Sequence, residues 1–203
     1  IAGHIASAIN GVSVAKGTSF LKECMGEKIA SSNVTMIDDP LRPRGFGTCL
    51  FDGETLSVSR KSMVENGVLQ GWFLDLATAA QLGLTPTGHA SRSLSGPPSP
   101  SPSNLFIEDG DLSLEELIKD IKSGFFVTEM MGSSVSLTTG DYSRGASGFW
   151  IENGEITWPA TEATIAGNLK EMFMSLTPAN DSDLRQSLSA PSLRVDSMTV
   201  AGS

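Results

Sequence analysis

The pair Asn153-Gly154 constrains the fold of this chain more than any other feature. It stands between Phe149-Trp150-Ile151 and Ile156-Thr157-Trp158. Asn-Gly supplies the two residues at φ > 0 that a tight hairpin turn needs, and aromatic and β-branched flanks suit strands. Asn66-Gly67 offers the same turn between Thr55–Val64 and Val68–Leu74. The flanks of the two turns do not match, so the turns share chemistry and not a repeated unit. Strands joined by tight turns run antiparallel, whereas βαβ crossovers need a helix between successive strands.

Further strands are predicted at Val34–Ile37, Leu105–Ile107, Phe125–Val127, Val135–Thr138 and Leu193–Val200. Helices are predicted at Ile1–Val14, at Asp75–Leu82 with Asp75 as N-cap and Gly83 as stop, and at Gly167–Leu176. Another opens at Ser113, where Glu116 completes a capping box and Leu114, Leu117, Ile118 and Ile121 form an apolar face. These elements sum to an α+β fold with a mainly antiparallel sheet, curled and barrel-like, and a few packed helices. From Thr85 to Ser103, 13 of 19 residues are Gly, Pro or Ser, so a flexible, exposed loop is predicted there.

Composition excludes several functions. Acids outnumber bases 23 to 14 and the net charge is -9, which opposes direct nucleic-acid binding. No apolar run approaches the roughly 18 residues of a membrane span. Ile1–Ala15 has no basic leader and opens within an apolar pattern without a methionine, so a domain cut from a longer chain is expected. The spacing of Cys24 and Cys49 leaves a disulfide open, but two cysteines in 203 residues suit free thiols in a reducing cytoplasm. His4 and His89 are too few and too isolated to make a metal site, and no cofactor is expected.

The candidate binding residues lie in the stretch before the second hairpin: Gly140, Asp141, Tyr142, Ser143, Arg144 and Gly145. Read locally, this is a glycine-broken recognition loop on a β scaffold. A Tyr hydroxyl and an Arg fork suit carbonyl and carboxylate recognition. The alternative is an internal Asp141–Arg144 pair that shapes the loop. Asp38-Asp39 before Pro40 reads either as a strand-ending turn or as a cation site. Ser143 and Ser147 lack a His-Asp set, which argues against a serine hydrolase. Trp72, Trp150 and Trp158 read as core or interface residues.

Several segments, in their order and spacing, resemble the TldD/PmbA family, often labelled modulators of DNA gyrase. They are Gly17-Thr18-Ser19, Asp38-Asp39-Pro40, Pro43-Arg44-Gly45, Glu65 to Gly71, Leu82 to Gly88, Gly140 to Gly148, Thr164 to Leu169 and Ala190 to Val200. The resemblance covers almost the whole chain and implies a single C-terminal domain, residues 1–203, with the family's N-terminal half absent. In the TldD branch it implies a zinc metallopeptidase with a His-Glu-x-x-x-His helix and a late cysteine. Counted back from Gly17, that motif falls on Ala2–Ser7, where Ala2, Gly3 and Ser7 replace the ligands and the glutamate. His4 is out of register, and no cysteine follows Cys49. The chain is therefore identified with the PmbA (TldE) branch. That implies a non-catalytic subunit, without a metal of its own, that pairs with a TldD-type metallopeptidase or as a homodimer and helps to bind unfolded peptide. The alternative is a self-associating peptide-binding module with no enzyme partner, in which Thr139–Ser147 docks a peptide by strand addition.

Overall fold

The structure is a computed structural model that describes residues 1–196 and 198–202. The elements run α1 (Ala2–Ala8), α2 (Gly11–Ala15), β1 (Met36–Asp38), β2 (Lys61–Glu65), β3 (Val68–Leu69), α3 (Leu76–Leu82), β4 (Ala90–Ser91), β5 (Ser99–Pro100) and β6 (Leu105–Ile107). They continue through α4 (Leu114–Ile118), β7 (Ser123–Val135), β8 (Asp141–Glu152), β9 (Glu155–Asn168), α5 (Leu169–Met174), β10 (Leu176–Pro178), β11 (Leu188–Ser189), β12 (Leu193–Val195) and β13 (Thr199–Ala201). One sheet has the order β11-β6-β1-β2-β3 and another the order β13-β9-β8-β7, with two-stranded pairs β10-β12 and β4-β5. All pairings between these strands are antiparallel except β11 with β6. The fold is α+β as predicted. Its sheets stay open: among the described residues none closes into a barrel, and β7 and β13 are the edges of the four-stranded sheet.

Both Asn-Gly pairs turn as predicted, with φ of 48° and 81° at Asn66 and Gly67 and of 50° and 83° at Asn153 and Gly154. The caps follow the sequence too. Asp75 accepts from the Thr78 N–H at 2.7 Å, Gly83 ends α3 in the left-handed region, and Ser113 and Glu116 close a capping box on α4. The predicted helix Ile1–Val14 is instead two helices. The break at Ile9-Asn10 lets the backbone pair with Phe73, whose N–H donates to Ile9 O at 3.1 Å and whose carbonyl accepts from Gly11 N–H at 2.9 Å. A Cβ on Gly11 would lie 2.6 Å from that carbonyl, so the approach depends on glycine. The Asn10 side chain caps the second helix by accepting from Val12 N–H at 3.0 Å.

The predicted strands Thr55–Val64 and Val68–Leu74 shorten to β2 and β3, and Leu193–Val200 divides into β12 and β13. The largest correction concerns Thr139–Ser147. Most of this predicted loop is the first half of β8, a strand paired on both sides, by β7 and by β9. Strand addition cannot occur there, because the backbone ladder is already occupied. The predicted exposed loop 85–103 is corrected at His89, Ala90 and Pro100, which are buried, and it contains the β4-β5 hairpin.

The principal core joins α1, α2 and α5 to both larger sheets through Ile5, Val14, Met36, Leu69, Tyr142, Ile165 and Phe173. Trp72 is buried against this core, while Trp158 is more than half exposed. Cys24 and Cys49 are free and half-buried. No helix among the described residues is long and apolar enough to cross a membrane.

Candidate functional site

Gly140 precedes strand β8, which divides the other five candidate residues between its two faces, because successive side chains alternate. Tyr142 and Arg144 share the face toward α1. The His4 imidazole meets the Tyr142 ring edge-on, with centroids 5.5 Å apart. The Tyr142 hydroxyl donates to Met130 Sδ at 3.6 Å, and Arg144 Nε donates to the Gly132 carbonyl at 2.8 Å, both on β7. Tyr142 is only 4% exposed, so its ring serves the core while Arg144 stays half-exposed. Burial pushes the Tyr142 hydroxyl up, and the nearby Arg144 guanidinium partly opposes that shift.

Asp141, Ser143 and Gly145 belong to the other face. Asp141 accepts from Thr139 Oγ1 at 2.6 Å and from Asn168 Nδ2 at 3.3 Å. Asn168 also donates to Thr139 O at 3.2 Å and caps α5 by accepting from Lys170 N–H at 3.1 Å. Gly140 has φ of 90°, and a Cβ there would meet Asn168 Oδ1 at 2.8 Å. Asp141 therefore fastens the start of β8 to the start of α5. The internal Asp141–Arg144 pair is corrected: the two side chains bond to different partners on opposite faces.

Helix α1 carries the positions where the family resemblance expects metal ligands. Ala2 is buried, and a Cβ on Gly3 would reach Leu188 Cδ2 at 3.5 Å. Ser7 donates its hydroxyl to Gly3 O at 2.9 Å. A methyl, a hydrogen and a hydroxyl already bonded to its own helix do not suit a zinc ion, which takes imidazole, thiolate or carboxylate. His4, one imidazole, faces Tyr142. No group of three His, Cys, Asp or Glu side chains placed to hold a metal occurs among the described residues.

Burial pushes the His4 imidazole below its ordinary range, and the nearby Arg144 guanidinium pushes it further. A lowered folded-state value means that the unfolded chain binds the proton more readily. Stability should therefore fall as pH drops through about 6.5, the ordinary histidine value, and the loss should be complete below the folded-state value. Urea midpoints measured across this range should show a shallower pH slope for His4→Gln than for the parent chain. Parallel slopes would rule His4 out as the source.

Sequence reading missed a second polar cluster. Asp38, predicted as part of a turn or cation site, is fully buried at the end of β1. It accepts from Ser103 N–H at 2.8 Å and Ser103 Oγ at 2.7 Å, and it lies 3.3 Å from His89 Nε2. His89 Nδ1 sits 2.7 Å from Thr87 Oγ1, and that hydroxyl also accepts from Leu74 N–H at 2.8 Å. The set has the order hydroxyl, imidazole, carboxylate, yet each member is already committed inside the fold. It acts as a clasp between β1, the segment after α3 and the residues around the β4-β5 hairpin. Its only sequence signal was a histidine inside a Pro- and Ser-rich stretch.

Comparison with known proteins adds the following. Residues 1–202 match the family described as PmbA/TldA metallopeptidase C-terminal domain. The chain is 39% identical over 201 residues to "Metalloprotease PmbA" of Escherichia coli O157:H7, covering 98% of this chain and 43% of that protein. Among solved structures, a protein described as a modulator of DNA gyrase from Bacteroides thetaiotaomicron superposes with a TM-score of 0.87 at 34% identity, over 98% of this chain and 44% of that one. TldE from Thermococcus kodakarensis superposes with a TM-score of 0.88 at 29% identity, over 100% and 48%. The chain thus spans less than half the length of these relatives.

Proposed function

We propose, from the premise that this chain belongs to the PmbA/TldD metallopeptidase family, that it is the C-terminal domain of a non-catalytic subunit. Its partner is a TldD-type zinc metallopeptidase in the cytoplasm, and together they bind and process unfolded peptides. One observation carries this reading: α1 presents Ala2, Gly3 and Ser7 where a zinc helix presents its ligands and base. Ala2 is packed into the core, so an imidazole could not simply be substituted there.

Extended peptide is taken at the free edge of β7. Its outward N–H and C=O groups await a strand, and Met130 and Met131 beside them are about half exposed and adaptable. Arg144, anchored to Gly132 of the same strand, offers its remaining guanidinium N–H groups to a peptide carbonyl or carboxylate. The same free edge favours the second reading, a self-associating peptide-binding module with no enzyme partner.

Elemental analysis and peptidase assays on the purified chain, alone and with a purified TldD-type subunit, test the proposal. Zinc and activity should appear only when the subunit is present, and Arg144→Ala should weaken peptide capture by about tenfold, the worth of one charge-assisted hydrogen bond. Stoichiometric zinc together with peptidase activity in the isolated chain would overturn it.

A further inference from the structure

The four-stranded sheet has a further stretch of free edge besides β7 and β13. Strand β13 pairs only with Thr164, Ile165 and Ala166 of β9. Among the described residues, Glu155 to Glu162 of β9 therefore have β8 on one side and no strand on the other. An unpaired row of N–H and C=O groups is a template for any passing strand. The residues of this row oppose that use.

The register of β9 with β8 shifts twice along it, between the pairs Ile151–Ile156 and Phe149–Pro159 and between Gly148–Ala160 and Ala146–Ala163. At the first shift Thr157 and Trp158 face Trp150 alone, and at the second Thr161 and Glu162 face Ser147 alone. An extra residue of this kind bends the strand and turns its edge away. The first bulge is fastened by the Thr157 hydroxyl, which donates to Trp150 O at 3.0 Å. The second holds Glu162 at φ of 59°, a conformation that a non-glycine residue adopts at a cost. Between the bulges stands Pro159, which has no N–H to offer, and proline sits in a sheet where the missing donor falls on the unpaired side. The exposed carboxylates of Glu155 and Glu162 bracket the row. Strand β7 differs. Its run Ser123–Val127 pairs residue for residue with Gly148–Glu152, without a shift, and holds neither proline nor charge.

We infer that the Glu155–Glu162 stretch of β9 is closed to strand pairing, so that this sheet takes an added strand only at β7, one per chain, along the regular run Ser123–Val127. The inference rests on the reading of β7 as the peptide edge and deepens it. A strand from any source meets the same obstruction at β9, whether it belongs to a peptide, a second copy or another segment of the same protein. The closure also limits assembly. With β9 open, β7 of one chain could pair with β9 of the next, an unlike contact that need not close and can extend without limit. With β9 closed, chains can pair only β7 to β7, a self-complementary contact that ends at two.

Hydrogen exchange on the purified chain, with and without a short synthetic peptide of alternating Thr and Val, tests this. Saturating peptide should slow the outward amides of Ser123–Val127 by about tenfold or more and leave Glu155–Glu162 unchanged. Slowing within Glu155–Glu162 would overturn the closure and keep strand addition as such. No slowing anywhere would overturn the peptide reading, and assembly then decides the closure by itself. The variant Pro159→Thr with Glu162 deleted regains the missing donor and a regular register at the second bulge. Its sedimentation coefficient should rise at least about twofold with concentration, in species that bind thioflavin, while the parent does not pass two chains. If the deletion fails to fold, Pro159→Thr/Glu155→Thr, which restores the donor and removes one charge, should grow in the same sense. A folded variant of either kind that stops where the parent stops, or a parent that grows without limit, would overturn the closure.

Discussion

Asp38→Ala should cost about 3–5 kcal/mol, the range observed when one member of a buried polar pair is removed. Asp38 is fully buried and gathers the Ser103 N–H, the Ser103 hydroxyl and His89 Nε2. Alanine would leave these groups facing a dry gap, and each unsatisfied buried group costs about 1–3 kcal/mol. His89 also packs edge-on against Phe73, with centroids 4.9 Å apart, so a disturbed imidazole reaches the main core. Domains carry only about 5–15 kcal/mol in total, so the variant should be close to unfolding at ambient temperature. Asp38→Asn should cost less, since it keeps one acceptor. Urea unfolding of the three proteins measures this. Asp183, whose pair with Arg185 is solvent-exposed, provides the control, and Asp183→Ala should leave the midpoint unchanged. A midpoint for Asp38→Ala within error of the parent would show that the clasp contributes nothing.

The features legible in the sequence were those decided by neighbouring residues. Asn66-Gly67 and Asn153-Gly154 turn because few other residues adopt φ > 0 readily. Asp75 and Ser113 cap because their side chains reach N–H groups three residues on. The features that were missed depend on distant partners. Nothing within Ile1–Val14 shows that Phe73 will bond to Ile9 and Gly11 and split the helix. Nothing within Thr85–Ser103 shows that His89 will face Asp38. The candidate site was half legible for the same reason. Tyr142 and Arg144 do sit together near α1, but alternation along a strand sends Asp141, Ser143 and Gly145 to the other face. That alternation was invisible while the segment read as a loop. Its glycines read as breaks in a polar loop. In the structure only Gly140 needs its φ, while Gly148 is there for want of space.

Gly148 makes that distinction measurable. Its φ lies outside the left-handed region, so alanine is conformationally acceptable there, and only room is lacking. A Cβ would stand 1.9 Å from the Phe126 carbonyl oxygen and 2.9 Å from its carbon, in the backbone of the neighbouring strand β7. A flexible side chain could swing away from such a clash, but β7 backbone can move only by breaking its ladder with β8. Gly148→Ala should therefore cost at least about 3 kcal/mol, the upper end of overpacking effects. Gly145→Ala, three residues earlier on β8, should stay within about 0.5 kcal/mol of the parent. Its Cβ would find the Met131 oxygen at 3.4 Å, an ordinary contact. Hydrogen exchange should localise the damage. Protection should be lost first at Phe126 to Met131, the stretch of β7 that carries Met130 under Tyr142 and offers the free edge to peptide. A folded, stable Gly148→Ala chain that no longer captured peptide would place the edge of β7 in the binding site. Equal cost for both substitutions would mean that the approach of β7 to β8 at Gly148 is not the constraint.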